Sequence, residues 1–284
     1  MLEPVLSSGM KRPYLVGAGI RSDDEKTFPA LAAMYHTGEI DHIQVQINPE
    51  DQQTFKRHIE TIAAGGVKVV VHAPHHGHGL NPCAPTAYET WSEVEARAWT
   101  ELALAETAEA ADLTGAETIV LHTGRYLPGR EEEAVATFET FLDEFFDPRF
   151  VLENLPSVYA DYPLLGNTAD ELKSLGGGRI RGYCLDFAHL FCTANYLGVP
   201  YADLLAPFAD LPLLLFHLSN SRRGSITDEH LALDHPEGGL NFAEVVPFIA
   251  AHPTIETSLE YKENDPAVYV AQLKAFDALY REHL

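Results

Sequence analysis

Eight short apolar runs, each followed by a longer amphipathic stretch, punctuate this chain and constrain its fold more than any other feature. They lie at 14–18, 42–47, 67–72, 118–122, 150–153, 180–186, 213–218 and 255–260. Most are rich in Val, Ile and Leu and nearly continuous, the pattern of parallel strands buried on both faces. The intervening stretches at 29–36, 51–64, 88–113, 131–145, 168–175, 190–197 with a continuation at 201–208, 242–250 and 266–279 read as helices. Eight strand–helix alternations in 284 residues predict an α/β chain forming a single (β/α)8 TIM barrel, one domain over 1–284. An open doubly wound sheet is the competing arrangement, but no GxGxxG or P-loop supports a nucleotide site in it.

Local signals agree with these boundaries. Asn167 or Thr168 is placed to cap the fifth helix, and Gly176, Gly177 and Gly178 to end it. Asn264 and Asp265 precede Pro266, which suits a first helical turn. Hydrophobic residues make up 46% of the chain, enough for a large core. The longest apolar runs fall far short of the roughly 20 residues of a membrane span. The opening MLEPVLSSGMKRPY lacks a signal-peptide pattern. Cys83, Cys184 and Cys192 form no CxxC spacing and no disulfide framework, so a cytoplasmic, reducing compartment fits best. With 42 acidic against 19 basic residues, the net charge of −23 argues against broad nonspecific nucleic-acid binding.

The chemistry is carried by what ends six of the eight runs. Val69–Val71 is followed by His72, Ile119–Leu121 by His122, and Phe150–Leu152 by Glu153. Tyr183–Leu185 is followed by Asp186, with His189 three residues further on; His217 follows Phe216, and Glu260 follows Leu259. Barrel enzymes build their active sites at the C-terminal ends of the strands. A lone His at such a position is more often a hydrogen-bonded structural residue. Six strands ending in His, Asp or Glu change that balance, because clustered carboxylates repel one another and are costly to desolvate without cations. Mixed nitrogen and oxygen donors suit Zn, Mn, Fe or Co and argue against a thiolate site. The loop after the seventh strand offers Asp228 and His230, with Asp234 and His235 a rival pair that spacing does not separate from them.

The segments VVVHAP, IVLHTG, VLEN, CLDFAH, LLFHLSNS, DEH and LEY, in order from Val69 to Tyr261, resemble the metal-binding motifs of the xylose-isomerase-like barrels, and within them the endonuclease IV group (AP endonuclease family 2). Carried over position by position, the resemblance implies up to three metal ions, zinc foremost. His72, His122 and Glu153 would hold the first; Glu153, Asp186, His217 and Glu260 the second; His189, Asp228 and His230 the third. It further implies a metal-dependent phosphodiesterase of the DNA-repair type acting on abasic DNA, with Glu153 and Glu260 as the catalytic carboxylates. Sugar isomerases and epimerases of the same superfamily resemble only the set Glu153, Asp186, His217 and Glu260, with one metal and a sugar-like substrate.

The chain also departs from the endonuclease pattern. The early His-containing strand motif appears as Val16-Gly17-Ala18-Gly19-Ile20, without a His. Leu155-Pro156-Ser157 replaces a Gly-rich segment, His75 stands where an aromatic follows HAP, and Glu50 follows Asn48-Pro49 where a basic residue is usual. Arg125, Arg222 and Arg223 are candidates for contacting phosphate. His75, His76 and His78 read as loop histidines, Trp91 and Trp99 as helix packing residues, and Cys184 as an inert buried thiol.

Overall fold

The computed structural model describes residues 12–48, 51–86, 92–262 and 265–284. Its centre is a closed parallel barrel of eight strands: β1 (Leu15–Arg21), β2 (His42–Gln46), β3 (Val69–His72), β4 (Ile119–Leu121), β5 (Phe150–Glu153), β6 (Gly182–Asp186), β7 (Leu213–Leu218) and β8 (Glu256–Leu259). Each strand pairs with its neighbours in sequence, and β1 closes the ring against β8 with Leu15 opposite Glu256. The expected (β/α)8 TIM barrel is therefore the fold. The strands at 150–153 and 213–218 coincide with the sequence reading. β1 runs three residues further than read, because Gly19, Ile20 and Arg21 continue in register with Gln44, Val45 and Gln46 where a glycine interrupts the apolar signal.

The helices are α1 (Phe28–His36), α2 (Gln52–Ala64), α3 (Glu93–Thr114), α4 (Glu131–Glu144), α5 (Ala169–Gly176), α6 (Phe187–Leu197), α7 (Tyr201–Leu205), α8 (Phe242–Ala251) and α9 (Pro266–Glu282). Their starts are set by capping side chains that satisfy otherwise orphaned backbone N–H groups. Asp51 accepts from Thr54, Thr168 from Glu171 and Asp265 from Ala267, while Ser92 and Glu95 form a reciprocal capping box. Thr168 rather than Asn167 is thus the fifth cap, and α5 ends on Gly177 in the left-handed conformation (φ 52°). The start expected for α3 at Tyr88, together with Trp91, Pro49, Glu50 and Asn264, lies outside the described residues. No helix among the described residues is long and apolar enough to cross a membrane.

The main core lies between the strands and the surrounding helices, with Phe55, Phe138, Phe187, Phe216, Tyr269 and Phe276 fully buried there. A second, smaller cluster fills the barrel itself: Val70, Val120, Val151, Cys184 and Leu215. Each of these residues stands two positions before His72, His122, Glu153, Asp186 and His217 respectively. Side chains two apart on a strand share a face. The inward layer that packs the barrel therefore forces the next inward layer to consist of those five polar groups.

On the other side of the interior the filling is polar. His42 of β2 is fully buried against Ser258 of β8, with its Nε2 2.7 Å from the serine hydroxyl oxygen. Burial pushes the His42 pKa down to about 4, against the opposing pull of Glu256. Gly17, in register with His42, leaves the space that this ring occupies; a Cβ there would overlap it. Gly17→Ala is predicted to lower unfolding stability by about 1–3 kcal/mol through overpacking. Urea denaturation checks it, and an unchanged midpoint would show that His42 moves aside freely.

Candidate metal centre

The layer above the packed interior brings together residues from five consecutive strands, from β3 to β7. His72, Glu153 and Asp186 are the last residues of β3, β5 and β6, and His122 directly follows β4. His217 lies one residue inside the end of β7, and Glu260 directly follows β8. Asp186 doubles as the N-cap of α6, accepting from the His189 backbone N–H at 2.6 Å. That cap turns the first helical turn so that the His189 ring faces the same centre.

Glu153 is the hub. Its Oε2 lies 3.0 Å from His122 Nε2 and 3.3 Å from His72 Nε2. Its Oε1 lies 3.1 Å from His217 Nδ1 and 3.2 Å from His189 Nδ1. Glu260 Oε1 is 3.4 Å from His217 Nδ1, and Glu260 Oε2 is 3.6 Å from His230 Nε2. His189 Nε2 is 3.8 Å from Asp228 Oδ2, and Asp228 in turn contacts His230 Nδ1. All nine residues expected from the sequence therefore meet in one cluster.

Of the two loop pairs left open, the structure brings in Asp228 and His230. Ser221 donates its hydroxyl to Asp228 at 2.9 Å, and His230 takes φ 50°, a left-handed backbone that non-glycine residues rarely adopt. Asp234 instead accepts from the Gln272 amide at 3.1 Å, and His235 Nδ1 accepts from the Glu237 backbone N–H at 3.2 Å.

Hydrogen bonds to carbonyl oxygens identify which ring nitrogen of each histidine points inward. The His72 Nδ1–H donates to the Ala73 carbonyl at 2.7 Å and leaves Nε2 toward Glu153. The His189 Nδ1–H donates to the Asn154 carbonyl at 2.8 Å and leaves Nε2 toward Asp228. Among the described residues, Glu153 Oε1, Asp186 Oδ2 and His217 Nδ1 are buried without a hydrogen-bond partner. Inward-facing lone pairs this close repel unless a cation or a proton lies between them. His72 with His122 and Glu153, and Glu153 with Asp186 and His189, each offer ligand atoms within 4.8 Å of one another; so do His72, His217 and Glu260. The donor set fits divalent metal ions.

Without cations, protons take up the strain. Burial works to raise the Glu153 pKa, but His217 and His122 outweigh it and hold the carboxylate well below its usual range. Burial also works against charge on His189, yet Asp186 and Glu153 raise it to about 10. Asp186 is raised to about 7, chiefly by burial and further by Asp228 and Glu153. Cys184 is in the floor, its sulfur within 4.8 Å of ligand atoms of Glu153 and His217, but burial pushes its thiol up to about 12, so it stays protonated at neutral pH.

The cluster opens into a cavity of about 360 Å³ lined by His75, His76, His78, Tyr159, Arg21 and Lys262 among others. The three arginines expected to contact phosphate do not line it. The Arg125 guanidinium lies over the Tyr162 ring, 5.5 Å from its centroid, and Arg222 faces Glu229 and Glu237 at 3.4 and 3.5 Å. Arg223 is exposed, with its backbone N–H donating to the Glu237 carbonyl. Arg21 and Lys262 line the cavity in their place; neither belongs to a motif that the sequence singles out. Leu155-Pro156-Ser157 leads into a hairpin, Val158–Tyr159 with Tyr162–Pro163, that sets the Tyr159 ring against His76. His75 stacks on His78 and faces His122, so these histidines form the cavity wall. Trp99 packs in α3 against Gly79, as a packing residue.

The model of the xylose isomerase-like TIM barrel matches residues 30–279, and the chain belongs to that family. No curated protein matches the chain. Among solved structures, endonuclease IV from Thermus thermophilus is 19% identical over 94% of this chain and 99% of its own, with a TM-score of 0.64. Another Thermus thermophilus protein, in a structure soaked with zinc chloride, is 19% identical over 94% and 98% (TM-score 0.59). An L-ribulose 3-epimerase is 16% identical over 93% and 94% (TM-score 0.59). At these identities the likeness is one of fold, shared by an endonuclease and an epimerase alike.

Protons on Asp186 and His189 compete with any cation for the same atoms. Below a group's pKa its proton must be displaced, so zinc affinity is predicted to rise steadily between about pH 6 and 8, with protons released on binding. Chelator-competition titrations across that range check it, and a flat or falling affinity would contradict the arrangement.

Proposed function

We propose that this chain is a metal-dependent phosphoester hydrolase of the endonuclease IV type, using a multinuclear and preferably trinuclear zinc site. The observation that carries the reading is the hub geometry of Glu153, whose two oxygens each face a separate pair of imidazoles. A carboxylate so placed suits bridging between two cations, and His189, Asp228 and His230 supply a third set of donors. Metal ions in such a site act as Lewis acids, lowering the pKa of water and neutralising charge on a phosphate. The protein side chains hold and orient. Glu153 and Glu260 fix the imidazoles around them, and Lys262 offers positive charge at the cavity for phosphate oxygens, beside Arg21, which is paired with Asp23 at 3.1 Å.

The alternative is a single-metal sugar or sugar-phosphate isomerase or epimerase using Glu153, Asp186, His217 and Glu260. The epimerase of like fold favours it. In that chemistry Glu153 and Glu260 must also move a proton beside a carbonyl. Here both oxygens of each carboxylate already face other groups: four imidazoles at Glu153, and Gln44, His217 and His230 at Glu260. His72, His122, Asp228 and His230 also have no task in a one-metal site. The net charge of −23 and the position of Arg125, Arg222 and Arg223 outside the cavity lining favour a small phosphorylated or sugar-like substrate over a DNA duplex.

The test compares zinc-reconstituted wild type with His72→Ala and Asp228→Ala on aryl phosphate esters, an abasic-site duplex and a ketose panel. Phosphoester hydrolysis should fall in both variants by at least the roughly 10–100-fold that loss of a supporting partner costs. Ketose epimerisation without hydrolysis, insensitive to either substitution, would overturn the proposal.

A further inference from the structure

Gln44 occupies the inward-facing position of β2 two residues above His42, is 2% exposed, and touches two candidate ligands at once. Its side-chain nitrogen donates to Glu260 Oε1, and its oxygen Oε1 lies 2.8 Å from His217 Nε2. The orientation of this amide follows from its surroundings. An ionised carboxylate only accepts, so the NH₂ group must face Glu260 and the carbonyl oxygen must face His217. An amide oxygen also only accepts, so His217 Nε2 must carry a hydrogen. His217 therefore presents Nδ1, its other nitrogen, to Glu153 and Glu260. His72 and His189 are arranged in the opposite sense, with Nδ1–H tied to main-chain carbonyls and Nε2 facing inward. Among these three rings, His217 alone takes its orientation from a side chain. Gly19, in register with Gln44 on β1, contributes no side chain, which leaves Gln44 room to reach the centre from this side of the barrel.

We propose that Gln44 is a positioning residue of the metal centre. It specifies His217 as an Nδ1 ligand and pins Glu260 Oε1 beside it, coupling the orientation of two ligands from β7 and the end of β8 through one amide. The inference rests on metal binding by the cluster, not on which reaction the cluster performs. An imidazole whose second nitrogen donates to a fixed acceptor is held in one tautomer and is a better ligand. A nonpolar side chain of equal length would fill the same space yet leave the ring free to take either tautomer and the carboxylate free to rotate.

The experiment uses full-length, zinc-loaded wild type, Gln44→Met and Gln44→Leu, with zinc affinity measured by chelator competition. The ring nitrogens of His217 are followed by NMR of ¹⁵N-histidine-labelled protein, the signals assigned with His217→Gln. Zinc affinity should fall about 10–100-fold in both variants. The His217 signals should change from a protonated Nε2 with zinc on Nδ1 to a mixture of tautomers. Unchanged affinity and unchanged signals in Gln44→Met would reduce Gln44 to packing and overturn the inference. So would a wild-type spectrum with zinc on His217 Nε2, a result that needs no variant to fold. Wild type that takes up no zinc would overturn the metal reading itself, an outcome distinct from zinc binding that is indifferent to Gln44.

Discussion

A fully buried carboxylate surrounded by four imidazoles organises this molecule. Glu153 lies at the bottom of a cavity in a barrel whose lower interior is apolar on that side, and it is fully buried there. Desolvation of such a group is severe, and it persists only where positive charge and fixed donors compensate. His72 and His122 approach one oxygen, His189 and His217 the other. Imidazoles serve that role as cations when protonated or as ligands to a shared metal. Every other feature of the site, from the Asp186 cap to the strained backbone at His230, places a donor around this hub.

The barrel supplies the geometry at little local cost. The strands from β3 to β6 are only three to five residues long. The period of two then sorts their residues into a packed layer of Val70, Val120, Val151 and Cys184 and a polar layer directly above it. Burying the lower layer fixes the height of the upper one. Gln44 extends the same logic to β2, where the inward positions are polar throughout and link the floor at His42 to the candidate ligands above.

Much of this was legible in the chain. The apolar runs predicted the strands, and the acids and imidazoles at the ends of six of the eight runs predicted which residues meet in the cluster, because strand termini and barrel geometry leave few alternatives. The choice between Asp228–His230 and Asp234–His235 was not legible: it depends on a left-handed residue at His230 and on the Gln272 contact that holds Asp234 away. Arg21, Lys262 and Gln44 were missed for a related reason. Each follows or interrupts an apolar pattern without ending it in an acid or imidazole, and its importance comes from neighbours far away in sequence. Arg125, Arg222 and Arg223 were chosen by proximity in sequence to strand ends, yet the loops carry them to Tyr162, to Glu229 and Glu237, and to the surface.

As a shared ligand at the heart of a multinuclear site, Glu153 would be needed for more than one metal ion. Zinc per chain, measured by elemental analysis of the wild type and of Glu153→Ala after identical loading, tests it most directly. More than one zinc is expected in the wild type, with the loss of at least two through that single substitution. A wild type that holds one zinc, or a variant that loses only one, would contradict it.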